Sequence, residues 1–182
     1  MEALKERYYT YDEWLSWDEN VRVELYDGIL VMLAQPSQKH QKVLMELAAQ
    51  LHAYLKGKQC EVYPAPFGVR LSENEDTAFE PDIVVVCDKS KLGGKAYVGA
   101  PDMIIEILSP STARIDRGIK FRKYLKAGVR EYWIVDPELK LLQVNILSGK
   151  NYIISIYDSD EVAPVQILDG CEINLADVFR DD

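Results

Sequence analysis

The chain has 182 residues, 48% of them hydrophobic and 28% charged, with a formal net charge of −9. That length favours one domain with a sizeable core, and the acidic balance argues against tight, sequence-independent binding to nucleic acid, which needs a basic footprint. No apolar run approaches the ~18–20 residues of a membrane-crossing helix, and no apolar segment follows Met1 to Arg7 as it would in a secretory signal, so a cytoplasmic location with no membrane partner is expected.

In chain order, Thr10-Tyr11-Asp12-Glu13 has capping-box spacing and opens a short helix anchored by Trp14, Leu15 and Trp17. Val21 to Leu25 alternates, Asp27-Gly28 is a hairpin turn, and Ile29 to Met32 returns. Pro36-Ser37 starts a helix to about Lys56, with Val43, Leu44, Leu47, Leu51, Tyr54 and Leu55 as its apolar stripe and Gly57 as its stop. Glu61-Val62-Tyr63 and Gly68 to Ser72 are short strands, and Glu73 to Asp76 is an acidic loop. Pro81 to Val86 and Met103 to Ser109 are apolar runs of strand length, separated by a Lys/Gly-rich loop from Lys89 to Gly99. Ser109-Pro110-Ser111-Thr112 caps a helix from about Ala113 to Ala127, closed by Gly128. Arg130 to Val135 is a strand, Leu141 to Leu147 and Tyr152 to Ile156 a hairpin, and Val165 to Phe179 a strand, turn and short helix. This order gives an α/β or α+β domain with a mixed central sheet flanked by helices, a single domain over 1–182 that includes the hairpin (141–157) and the tail (165–179). Cys60, Cys87 and Cys171 are widely spaced and odd in number, and read as free thiols.

Two of these strands are chemically odd. Asp82 precedes four β-branched residues, and Glu106 is fenced by Ile104, Ile105, Ile107 and Leu108. A carboxylate in such surroundings costs several kcal/mol unless it is paired or bound to a metal. If the two strands pair, both acids reach one point, a donor set suited to Mg²⁺ or Mn²⁺. On the following helix Asp116, Lys120 and Tyr124 fall on one stripe, while Ile115, Ile119, Phe121 and Leu125 make the apolar stripe expected to face the core.

Glu24-Leu25-Tyr26-Asp27-Gly28, Pro36-Ser37 with His40, Pro81-Asp82, Pro101-Asp102 through Glu106 to Ser109-Pro110-Ser111-Thr112, then Asp116, Lys120 and Tyr124, Ala127-Gly128-Val129 and Glu131-Tyr132-Trp133 to Val135-Asp136-Pro137 form a series. On that series the chain resembles, from about Thr10 to Phe179, the Uma-type family of endonucleases in the PD-(D/E)XK, restriction-endonuclease-like superfamily. The resemblance implies a Mg²⁺- or Mn²⁺-dependent endonuclease acting on DNA, with Asp82 and Glu106 as metal ligands. Leu108 stands where the superfamily motif has its lysine, and Lys120 is the matching candidate on the next helix. Glu24, His40 and Tyr124 are then expected around the substrate or behind the metal ligands. Two other readings stay open: a nuclease fold retained as a binding module without catalysis, and a metal hydrolase of a smaller phosphate ester. A homodimer is expected by analogy with the superfamily, with Tyr152 and Tyr157 as exposed aromatics on the late hairpin.

Overall fold

The structure, a computed structural model, describes residues 7–18, 20–110 and 112–180. Ser111, expected to help cap a helix, lies outside them. Helix α1 (Tyr11–Leu15) has the expected reciprocal box: the Glu13 amide donates to the Thr10 hydroxyl, and the Thr10 amide donates to the Glu13 carboxylate at 2.9 Å. Strands β1 (Val23–Tyr26) and β2 (Ile29–Met32) pair across Asp27-Gly28, whose φ values of 47° and 82° make the turn that suits the twist of a two-residue hairpin. Helix α2 (Gln38–Leu55) is capped by the Ser37 hydroxyl and buries Val43, Leu44, Leu47, Leu51 and Leu55.

Strands β3 (Glu61–Pro64), β4 (Gly68–Arg70), β5 (Ile83–Val86), β6 (Leu92–Gly93), β7 (Ala96–Val98) and β8 (Met103–Ile107) follow. A helical passage then runs through α3 (Ala113–Ile115), a π-helical segment (Asp116–Lys120) and α4 (Phe121–Ala127). Strands β9 (Glu131–Asp136), β10 (Leu141–Ser148), β11 (Asn151–Asp158), β12 (Val162–Pro164) and β13 (Glu172–Asn174) lead to α5 (Leu175–Val178). The central sheet has the order β11-β10-β9-β8-β5-β3, in which only β8 and β9 run parallel; the helical passage is their crossover. The mixed sheet flanked by helices is the expected fold class.

The central strands are apolar on both faces because both faces are covered. Ile83, Val85, Ile105, Ile107 and Trp133 pack with the α2 stripe in one core layer. Val84, Val86, Ile104, Tyr132 and Ile134 pack with Phe79, Tyr97 and Tyr124 in the other. Glu106 has the same parity along β8 as Ile104, so it points into this second layer, towards the helical passage.

Four features of the strands, cysteines and helix cap differ from expectation. The Lys89-to-Gly99 stretch is not an unstructured loop: it carries β6 and β7, β7 pairs with β4, and Ala96 and Tyr97 are buried, because Tyr97 fills the second core layer. Cys60 and Cys87 are joined in a disulfide, leaving Cys171 as the free thiol among the described residues. They flank β3 and β5, whose antiparallel register pairs Glu61 with Val86 and so brings the two cysteines opposite each other one step further on. Thr112 does not cap α3 through its side chain; its hydroxyl lies 3.0 Å from the Ser109 hydroxyl and accepts from the Ser109 amide. On β11 it is Ile153, Ile154 and Ile156 that are exposed, whereas Tyr152 and Tyr157 pack against the two core layers and are half-buried.

Candidate active site

β5 and β8 pair antiparallel with Val84 opposite Ile104 and Ile83 opposite Ile105. One further step along that register sets Asp82 opposite Glu106. The Ile107 amide donates to Asp82 Oδ2 at 2.7 Å, which fixes one carboxylate against the end of the strand that carries the other. His40, in the first turn of α2, places Nε2 3.3 Å from the same Asp82 oxygen. The two acids singled out in the sequence are thus brought together at one edge of the core, on the floor of an open cleft of about 500 Å³.

Lys120 reaches this point from the helical passage. Its ammonium lies 2.9 Å from Glu106 Oε1, 2.9 Å from Glu24 Oε1 and 3.6 Å from Asp116 Oδ1, and the side chain is 5% exposed. Tyr124 donates its hydroxyl to Glu106 Oε1 at 2.7 Å, Tyr26 donates to Glu24, and the Glu80 amide donates to Glu24 Oε1 at 2.9 Å. The helical stripes are therefore the reverse of those expected. Asp116, Lys120 and Tyr124 are buried, while Ile119 is 40% exposed and Ile115, Phe121 and Leu125 are only partly covered. Part of the reason is the π-helical turn at Asp116–Lys120. An α-helix advances about 100° per residue, so positions four apart drift round the axis; the wider π turn rotates less per residue and offsets the drift. The three polar residues then share one face, and Glu106 in the core layer beneath supplies the charge that this face needs.

Three carboxylates, Glu24, Glu106 and Asp116, share the single Lys120 ammonium. Burial pushes the Glu106 carboxyl well up; Lys120 opposes the shift, and Asp116, Asp82 and Glu24 reinforce it. Burial likewise raises Asp116, again opposed by Lys120. Burial works against the Lys120 charge, but Glu106 and Glu24 outweigh it and hold the ammonium well above its ordinary range. The cluster therefore sets one fixed cation against three carboxyl groups. His40 is also raised: burial disfavours its charge, and the Asp82 contact more than compensates. Asp116 Oδ1 is buried without a hydrogen-bond partner.

Among the described residues no three histidine, cysteine or acidic groups form a ready-made metal centre. The donor set nonetheless fits Mg²⁺ or Mn²⁺, which bind through one or two carboxylates and keep several waters. Asp82 and Glu106 are adjacent on one ladder, and the cleft holds more carboxylate than cation.

All six expected residues, Asp82, Glu106, Lys120, Glu24, His40 and Tyr124, line or underlie this one cleft. Leu108, at the usual lysine position, is buried in the core layer. Tyr26 and Glu80 also contact Glu24, though neither is marked as a site residue by the sequence. Tyr26 lies two residues beyond Glu24 on the same strand face, and Glu80, which accepts from Arg22 Nε at 2.9 Å, lies two before Asp82; that period of two was the available signal.

The mixed sheet flanked by helices, with an acidic cleft at its strand ends, has a counterpart among solved structures. The chain is similar to "a putative nuclease belonging to DUF820" from Anabaena variabilis, with a TM-score of 0.77 and 22% identity, over 93% of this chain and 97% of that one. The family described as "Uma2: Putative restriction endonuclease" matches residues 8–176, and the chain belongs to that family. Two uncharacterized proteins of a Synechocystis strain are also similar. One is 30% identical over 115 residues, 62% of this chain and 60% of that protein. The other is 26% identical over 129 residues, 68% of this chain and 72% of that protein. The first match thus spans less than two thirds of that relative's length.

Proposed function

We propose that the chain is a Mg²⁺- or Mn²⁺-dependent endonuclease that hydrolyses phosphodiester bonds in DNA. The observation that carries this reading is the convergence of Asp82, Glu106 and Lys120, from two paired strands and a crossover helix, on one cleft. Asp82, Glu106 and the Ile107 carbonyl would hold the ion. When bound, it would lower the pKa of a water and neutralise charge on the phosphate.

The chain's own groups have separable tasks. Lys120, kept charged by Glu106 and Glu24, serves as an electrostatic stabiliser of the charge that develops at phosphorus, not as a proton acceptor. Tyr124 and Lys120 fix the Glu106 carboxylate, and the Ile107 amide and His40 fix that of Asp82, so neither acid must reorganise during reaction. The cleft rim carries cations despite the negative net charge. Lys39 and Arg117 line it, Lys39 in an exposed pair with Glu138, worth about 0–1 kcal/mol, and Arg117 in a pair with the half-buried Asp136; phosphate oxygens can compete for both cations. Lys39 continues, with Lys42, Lys140 and Arg180, into an adjoining hollow of about 250 Å³. That is a local basic path on an acidic molecule.

Asp82→Ala should abolish Mg²⁺-dependent nicking of plasmid DNA while the variant melts as a folded protein. Undiminished cleavage by that variant would overturn the assignment. A second reading, a nuclease fold kept for binding alone, draws on the engagement of Lys120 by Glu106 and Glu24 and on Leu108 at the usual lysine position. Retained DNA binding with no cleavage in either metal by the wild-type chain would favour it.

A further inference from the structure

The two edges of the central sheet differ. β3 is short, ends in Pro64 and carries Glu61, whose carboxylate is paired with Lys89; proline and charge are ordinary protections of an edge. β11 is neither short nor interrupted by proline, and its one charge, Asp158, stands at its end. It is eight residues long, Asn151-Tyr152-Ile153-Ile154-Ser155-Ile156-Tyr157-Asp158, and pairs with β10 on one side only. No charge or proline occurs from Tyr152 to Tyr157, and Ile153, Ile154 and Ile156 are 62%, 52% and 56% exposed. A long, apolar edge of this kind is a template for another strand.

We propose that the occupant is a second copy of this chain, joined antiparallel through β11 about a two-fold axis at Ile154. A two-fold axis normal to the sheet keeps each residue on its own face, and directly opposed residues share a face, so only registers that pair positions of equal parity are allowed. With Ile154 opposite Ile154, Tyr152 falls opposite Ile156, an aromatic–β-branched pair, and Lys150 falls opposite Asp158. The one lysine at the start of the strand thus meets the acid at its end, twice by symmetry, while the uncharged centre meets itself. None of the residues lining the acidic cleft belongs to β11, so the pairing uses no cleft residue.

Light scattering on the purified full chain should give twice 20.8 kDa. Ile154→Lys, which sets two like charges on the axis at an exposed position, should give the monomer mass. Lys150→Asp should weaken the dimer and Lys150→Asp/Asp158→Lys should restore it. Ile154→Cys should form a disulfide-linked dimer on oxidation, since opposed Cα atoms lie about 4.5–5.5 Å apart, whereas Ser155→Cys should not. Cys171 is buried and Cys60–Cys87 already bonded, so the new thiol is read alone. A wild-type monomer at all concentrations, an unaffected Ile154→Lys dimer, or cross-linking through Ser155→Cys instead of Ile154→Cys would overturn the proposal.

Discussion

Replacing Lys120 with methionine keeps the aliphatic stem and removes the ammonium. That ammonium is the sole cation within 4 Å of Glu106, Glu24 and Asp116 among the described residues, at 2.9, 2.9 and 3.6 Å. Breaking a buried ion pair by deleting one partner costs about 3–5 kcal/mol, because the charge left behind has neither water nor counter-ion. For a domain of this size each kcal/mol moves Tm by roughly 2–4 °C, so a loss of about 6–20 °C is expected. The loss should depend on pH. Glu106 and Asp116 already have raised pKa values, and without Lys120 they rise further. The folded variant then binds protons that the unfolded chain has released, so it loses stability as pH rises. Calorimetric melts in chelator at about pH 5.5 and about pH 8, both above the ordinary carboxylate values of about 4, should show the larger deficit at the higher pH. A Tm loss below about 3 °C, or one that does not grow with pH, would refute the assignment of Lys120 as the cluster's resident cation.

His40→Gln should destabilise the metal-free chain more in acid than in base. The histidine pKa is raised in the fold, so its contribution is fully present below the unfolded value of about 6.5 and fades as pH rises through the folded one; paired urea titrations at either end would detect the difference. Ile119→Lys should change stability by no more than about 0.5 kcal/mol in denaturant melts, since the side chain is 40% exposed; a loss of several kcal/mol would restore the stripe expected from the sequence.

Much of the fold was legible because local chemistry and tertiary role agreed. Thr10 and Ser37 cap the helices that they announce, Asp27-Gly28 turns its hairpin, and the β-branched run after Asp82 is buried on both faces. The two acids were legible because each breaks an apolar strand, although their meeting depended on a register that no local signal fixes. What failed was what only tertiary contacts determine. Asp116, Lys120 and Tyr124 look like a solvated helix face until Glu106 and Glu24 are set opposite them, and a π turn is invisible to a periodicity of 3.6. Cys60 and Cys87 are 27 residues apart and look unrelated until β3 lies against β5. Tyr97, in a stretch rich in lysine and glycine, is buried by a core layer assembled from strands distant in sequence.

The most direct test of the two-acid site is anomalous diffraction from crystals of the wild-type chain soaked in Mn²⁺. A peak is predicted between the Asp82 and Glu106 carboxylates, beside the Ile107 carbonyl, and it should vanish in Glu106→Gln crystals treated in the same way. Mn²⁺ bound elsewhere, or absent from this point at full soak in well-ordered crystals, would contradict the assignment of Asp82 and Glu106 as metal ligands.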